Sequence, residues 1–480
     1  MATDEQKITL KVFVNKTKDC VAFVESDLDF VDVLLSFLTL PVGTVVRLLN
    51  KRSSLGCFDK LYQGVERLDK KYLATEACRS MLTKPVNSSG VTCQKLKINI
   101  DDMGDYYSSL ECHCGEGMDE AISYDLNQDN VNYEECRGVF IRGDKFLVTD
   151  ALLVASIEHA TSSFFGCCGD WTGLEERSIG IKRAQSLVSD TPLTDVLLRK
   201  EGDISPKFSV PPVKKTVAIE ALDKKKIIYR IKLSLVGNKV LYAEASQDFV
   251  NEIFSFLTFP LGTLKKQLGG RCRITCLNNL YDSARQLHTL GCMVPGCEER
   301  LLNPKLPPYF NCNNRAIEVE VAREEMYYAC DYRCRLSSTR YYCSSPFHYG
   351  RKAKRALLLD PKTSPKGLDF PKGSFCKKLT YIVSDELVVT PFSFTSLFSL
   401  RRQISEPVKM VELGIDKEEV CLSSVATIAL HLTVRLMLLS LFVFQVLDLL
   451  DAALSSSTAL TEAFFDRANA ALYLVDEKGE

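Results

Sequence analysis

FVDVLLSFLTLPVGTVVRLL, from Phe30 to Leu49, returns as FVNEIFSFLTFPLGTLKKQL, from Phe249 to Leu268, and 10 of the 20 positions are identical. The offset is 219 residues (30 to 249), and at that offset LYQGVERL from Leu61 meets LYDSARQL from Leu280. Upstream, LKVFVNKTKDCVAFVESD answers IKLSLVGNKVLYAEAS after a two-residue gap. Downstream, FLVTDALLVAS from Phe146 answers YIVSDELVVTP from Tyr381, and TPLTDVLL from Thr191 answers TALTEAFF from Thr458. The blocks keep their order, which chance does not produce. The period is too long for a solenoid unit, so each copy is expected to be a domain with its own core.

Copy one is read as residues 7–199 and copy two as residues 227–475. Between them, residues 200–226 hold three prolines and many charges and read as an extended linker. Each copy opens with apolar alternation around a polar turn: Leu10, Val12 and Val14, then Asn15 to Asp19, then Val21 and Phe23. That is a hairpin signal. A helix follows from Phe30, its apolar stripe continued by Leu34, Phe37 and Leu38, and Asp27 or Asp29 is its expected cap. Pro41 and Gly43 stop it, and Thr44 is expected to cap a short second helix. A later strand (Phe146 to Val154; Tyr381 to Val389) and a helical end complete each copy. The fold class is therefore α+β: two homologous lobes, each a hairpin followed by a helix, with a β-grasp-like arrangement as one form.

The segments ITLKVFVNKTKDCVAFVESD, FVDVLLSFLTLPVGTVVRLL, LTKPVNSS and YIVSDELVVTPFS resemble the plant family called domain of unknown function 674. The resemblance covers nearly the whole chain in two copies. It implies a plant protein of tandem modules and supplies no catalytic residues.

Hydrophobic residues make up 46% of the 480 and charged residues 25%, the balance of a folded protein. Net charge is -1, so any affinity for nucleic acid or anionic lipid has to be local. MATDEQKITL has neither the basic nor the apolar region of a signal peptide, and the 19 cysteines fit no disulfide framework. The expected location is cytoplasmic, with a nuclear alternative through the basic patch RKAKR from Arg351.

Copy two carries Cys330, Cys334, Cys343 and His348, four ligands that can close a tetrahedral zinc site. Cys292 and Cys297 are further candidates, and copy one offers Cys112, His113, Cys114 and Cys136. The same loop is basic, with Arg333, Arg335, Arg340, Arg351, Lys352, Lys354 and Arg355 interleaved with tyrosines, a pattern able to track phosphates and stack bases. Residues 105–136 of copy one invert the sign, with nine acids and no Lys or Arg, so the two loops could attract each other.

Residues 425–447 are apolar enough to suggest a membrane span, with His431 and Arg435 near the middle. The repeat suggests instead that residues 420–445 are an insertion: without them GIDKEE joins VLDLLDAALSSSTALTEAFF, which reads as one amphipathic helix. There is no G-x-S-x-G elbow, Walker loop or H-E-x-x-H, and SIGIKRA around Gly180 is not a phosphate loop. The reading is a non-catalytic binding or scaffolding protein with a protein partner. The alternatives are a zinc-dependent nucleic-acid binder using the Cys330–Arg355 loop and an enzyme with an unrecognised site between the lobes.

Overall fold

The computed structural model describes residues 7–101, 110–111, 117–118, 137–160, 173–179, 191–199, 228–312, 315–322, 327–329, 354–358, 360–363, 373–402, 407–416 and 445–476. The first hairpin pairs β1 (Ile8–Asn15) with β2 (Cys20–Ser26). Alternation turns Ile8, Leu10 and Val12 into the core and leaves Thr9 and Lys11 in solvent. Asn15 Oδ1 closes the turn by accepting from the Thr17 and Lys18 amides, and Asp19 takes a left-handed φ of 48°. Helices α1 (Leu28–Ser36), α2 (Val42–Leu48), α3 (Phe58–Arg67), α4 (Ala77–Thr83) and α5 (Gly90–Cys93) follow. Then come the short strands β3 (Leu110–Glu111) and β4 (Gly117–Met118), the hairpin β5 (Phe146–Thr149) and β6 (Val154–Ser156), β7 (Gly173–Ile179) and α6 (Pro192–Leu197).

The second half begins with β8 (Ile228–Val236) and β9 (Lys239–Ser246), then α7 (Gln247–Ser255), α8 (Leu261–Leu268), α9 (Thr275–Thr289) and α10 (Cys297–Leu302). Its strands continue as β10 (Tyr327–Ala329), β11 (Lys354–Leu358), β12 (Thr380–Ser384) and β13 (Val389–Pro391). Helix α11 (Phe394–Arg401), β14 (Lys409–Asp416), α12 (Gln445–Ser455) and α13 (Ala459–Asp476) end it. The first lobe's sheet has the order β6-β5-β2-β1-β7 and the second's β13-β12-β9-β8-β14, the same arrangement. The β8–β9 turn has only Gly237 and Asn238 between paired Val236 and Lys239, where the first lobe has four residues between Asn15 and Cys20. That difference is the two-residue gap between the repeats.

The lobes do not keep separate cores. Buried residues from Ile8 to Ala468 form one continuous cluster. The repeated Pro-x-Gly turns explain why. Pro41 bridges Pro260 in antiparallel fashion, with Val42 N donating to Phe259 O (3.0 Å) and Leu261 N donating to Leu40 O (3.0 Å). From this seam each half reaches into the other. Helix α3 lies on β13, with Cys57 N donating to Ala453 O (2.8 Å), and α9 lies on β6, with Val154 N donating to Ser283 Oγ (2.9 Å). Past these helices the crossing repeats: Ala74 N donates to Phe375 O and Val294 N to Phe140 O.

Several expectations are corrected. Among the described residues every sheet pairing is antiparallel, whereas a β-grasp sheet needs a parallel central pair, so that form does not apply to these two sheets. The single later strand is a hairpin in each lobe, because Leu152 and Leu387 turn the chain at positive φ (59° and 60°). Asp27 stands at the N-cap of α1 but its side chain makes no capping bond. Pro41, not Thr44, stands at the N-cap of α2; the Thr44 hydroxyl donates to Pro85 O instead. The C-terminal helix is broken: the Thr458 amide donates to Ser456 Oγ, and α12 and α13 separate there. Strands β7 and β14 close one edge of each sheet and were not foreseen.

The seam dictates the glycines. A Cβ on Gly262 would meet Leu301 O at 2.3 Å and Leu38 O at 3.0 Å; on Gly43 it would meet Leu82 O at 2.9 Å and Leu257 O at 3.0 Å. On Gly64, in the α3 crossing, the nearest atom would be an ordinary 3.7 Å away. Gly262→Ala is therefore expected to lower stability by about 1–3 kcal/mol and Gly43→Ala by less, whereas Gly64→Ala, inside a helix with room for the methyl, is expected to leave stability unchanged or raise it by up to about 1 kcal/mol. Urea midpoints of the three variants check the order.

Candidate functional site

The four zinc candidates Cys330, Cys334, Cys343 and His348 lie outside the described residues, as do Arg333, Arg335, Arg340, Arg351 and Lys352. Cys112, His113, Cys114 and Cys136, the linker 200–226 and residues 420–444 also lie outside them. Lys354 and Arg355 are on β11. That strand pairs with β10 and with β3, so that Leu357 stands opposite Glu111 and Tyr328 opposite Arg355. The acidic segment of the first half and the basic segment of the second thus meet through backbone pairing in one four-stranded sheet, β10-β11-β3-β4. Cys292 and Cys297 are described and do not converge: Cys297 Sγ donates to Val139 O and Cys292 Sγ to Leu290 O. Among the described residues no group of His, Cys, Asp and Glu could hold a metal ion. No described helix is long and apolar enough to cross a membrane.

Two aspartates do converge with threonines. Asp150 accepts from the Thr194 hydroxyl (2.6 Å) and amide (2.8 Å), while the Thr194 hydroxyl accepts from Val21 N (2.7 Å). Asp385, Thr461 and Val240 repeat the arrangement at 2.6, 2.7 and 2.9 Å. The hydroxyl proton and lone pair are both occupied, so the pair latches the C-terminal helix onto the hairpin and is not poised for attack. Burial pushes the Asp150 carboxyl up to about 6 and raises Asp385 as well.

Among the described residues, the second lobe buries polar side chains at positions where the first has apolar ones. Glu252 on α7 is wholly buried and accepts from the Tyr229 hydroxyl (2.8 Å), Ala316 N (2.8 Å) and Ile317 N (3.1 Å). Burial raises its pKa and that of Tyr229. The repeat-equivalent residues in the first lobe are Val33 and Ile8. Asn251 accepts from Phe375 N and Cys376 N and donates to Ser374 Oγ, to which Gln247 also donates. Lys362, 1% exposed, donates to Tyr309 O and to Asn311 O (2.9 Å), lies 3.5 Å from Asp360 Oδ1 and sits 5.3 Å above the Phe375 ring. Burial lowers its pKa, against the pull of Asp360. The first lobe enters this cluster through α4: Thr75 donates to Pro361 O (2.6 Å), and Cys78 approaches Ser374 O.

These groups are closed on one another. Burial pushes the Cys312 thiol up to about 12 and raises Cys78 and Cys376, so at neutral pH they are thiols, not thiolates. Lys362 fastens the 309–311 loop to the 360–363 turn, and Glu252 fastens α7 to residues 316–317. The cluster as it stands organises loops around the junction of the halves. A shallow depression on α9 is the other polar concavity of note. Its polar side chains pair off, His288 with Glu298 at 2.9 Å and Arg285 with Asp282 at 3.9 Å.

The surface departs from this closure on α11. Ser393 caps the helix by accepting from Ser396 N (3.0 Å). Phe394 is 86% exposed and Phe398 69%. Phe392, Leu379 and Met410 are exposed nearby in the chain. Two large rings on one short helix are thus left in solvent. Sequence reasoning passed over it because PFSFTSLF reads as core; its signal was Ser393 three residues before Ser396 with phenylalanines on both sides.

The loop anchor at Asp32 makes a test of how the halves have diverged. Asp32 Oδ2 accepts from Val139 N (2.6 Å) and Oδ1 from Phe140 N (2.9 Å) and Ile141 N (3.1 Å). At the repeat-equivalent site Asn251 turns its amide nitrogen to the Ser374 hydroxyl, where the first lobe has Val139. Asp32→Asn is expected to cost about 1–3 kcal/mol by leaving the Val139 amide unpaired, and Val139→Ser in the same chain to restore part of it. Burial pushes Asp32 up to about 6, above the unfolded value of 3.8. The stabilising protonated form is therefore complete below the unfolded value and lost as pH rises through about 6. Denaturation of wild type and Asp32→Asn at about pH 7 and about pH 5 checks the sign: the wild-type advantage grows at the lower pH.

A family model described as "Protein of unknown function (DUF674)" matches residues 4–415. No curated protein and no solved structure matches the chain. With most of its length under that model, the chain belongs to the DUF674 family.

Proposed function

We propose that this protein is a non-catalytic binding protein in which the interlocked halves form a rigid body and the α11 face of the second lobe meets the partner. The observation that carries this reading is the exposure of Phe394 and Phe398 on a helix that is capped and ordered without them. Exposed rings on a preformed helix contribute nothing to the fold and lower the cost of ordering on association. Lys362, Glu252 and Asp150 each have their hydrogen-bonding atoms taken up by neighbouring backbone and side-chain groups, which supports binding over turnover. The reading includes two tandem copies, residues 7–199 and 227–475, joined by the linker 200–226 and with residues 420–445 inserted into the second. It places the protein in the cytoplasm, which the free thiols among the described cysteines support.

The test is the native distribution of the full chain in a cell extract, followed by gradient fractionation. Wild type is expected in a large or particulate fraction, and Phe394→Ser/Phe398→Ser as the free chain with an unchanged melting temperature. Wild type and variant both migrating as the free chain overturns the reading.

A further inference from the structure

We infer that the α11 face docks on an anionic membrane surface, an assignment that rests on the binding reading above and names its partner. Phe394, Phe398 and Arg402 follow one another at four-residue spacing, so two rings and a guanidinium share one side of the helix. Arg402 is exposed immediately beyond the helix, its amide donating to Phe398 O (2.9 Å). At the other end, Phe392 N donates to Thr380 O (3.0 Å), which sets Phe392 beside the exposed Lys378–Leu379–Thr380 segment of the neighbouring strand. Exposed bases thus accompany the exposed apolar side chains at both ends of this face, Lys378 beside Leu379 and Arg402 one turn after Phe398.

The pattern fits a bilayer interface better than the alternatives. Phenylalanine rings insert to headgroup depth while lysine and arginine stay with the lipid phosphates, and each base near a negative leaflet adds to the attraction. The face is a projecting helix with outward rings, which suits a fluid surface that yields to it. A second copy of this chain is disfavoured by charge. An isologous contact would gather Lys378 and Arg402 of both molecules into one interface. The contact is peripheral and does not call on any membrane-crossing segment.

The experiment is flotation of the full chain with vesicles of phosphatidylcholine alone and with phosphatidylserine added. The expected result is partition at least about tenfold stronger into the anionic vesicles, weakened by added salt. Phe394→Ser/Phe398→Ser loses binding to both, and Lys378→Gln/Arg402→Gln loses the anionic preference while keeping the residual apolar affinity. Circular dichroism melting of each variant shows that the fold is retained. Equal, weak partition of wild type into both vesicles overturns the membrane assignment, as does anionic binding untouched by the phenylalanine changes. If flotation fails while the cell-extract distribution still depends on Phe394 and Phe398, the partner is a protein and only this assignment falls. A wild-type dimer in sedimentation, dispersed by the phenylalanine variant, overturns it in favour of a second copy.

Discussion

The antiparallel contact of Leu40-Pro41-Val42 with Phe259-Pro260-Leu261 is the constraint on which the rest depends. Proline has no amide to donate, and the two prolines face each other, so the flanking residues carry the two hydrogen bonds of the seam. The glycines that follow allow carbonyls from α4, α10 and the short turns after α1 and α7 to approach to a distance that no Cβ tolerates. Once the seam is formed, α3 and α9 start on the far side of it and cover the opposite sheet. Neither sheet then has a complete inner layer without the other half of the chain, which is why the core is continuous.

Within that shared frame the halves have taken different chemistry. Where the first lobe buries Val33 and Ile8 and half-buries Val139, the second buries Glu252, Tyr229 and Ser374. Each substitution brings its own partner, so the polar atoms are paired and the lobe keeps its shape. Such networks specify loop positions at a desolvation cost and add little net stability. The buried lysine follows the same logic: its ammonium replaces water for two carbonyls and an aspartate. Chemical activity of these groups would need an opening of the junction, whereas the α11 rings are already in solvent.

Much of the α+β layout was legible in the repeat itself. The alternation of Leu10, Val12 and Val14 and the spacing of Phe30 and Leu34 determine a hairpin and a helix because burial is local to those elements. What escaped depends on contacts between distant residues. Strand β7, with the sequence GLEERSI, has little alternation and exists by pairing with β1. The crossing of α3 and α9 leaves no local trace, since an apolar stripe looks the same whichever lobe it covers. The left-handed turns at Leu152 and Leu387 use a residue that favours no turn. The polar cluster was within reach, however: aligning FVDVLL with FVNEIF places Glu252 at the position of Val33 inside an apolar stripe.

The interlocking of the halves is the central claim, and hydrogen exchange across a urea series measures it most directly. Peptides from β1–β2 and from β8–β9 are to be followed in the full chain. One shared core predicts that both hairpins lose protection in a single coincident transition. Two transitions at separate urea concentrations, with one hairpin still protected after the other has opened, would contradict the account.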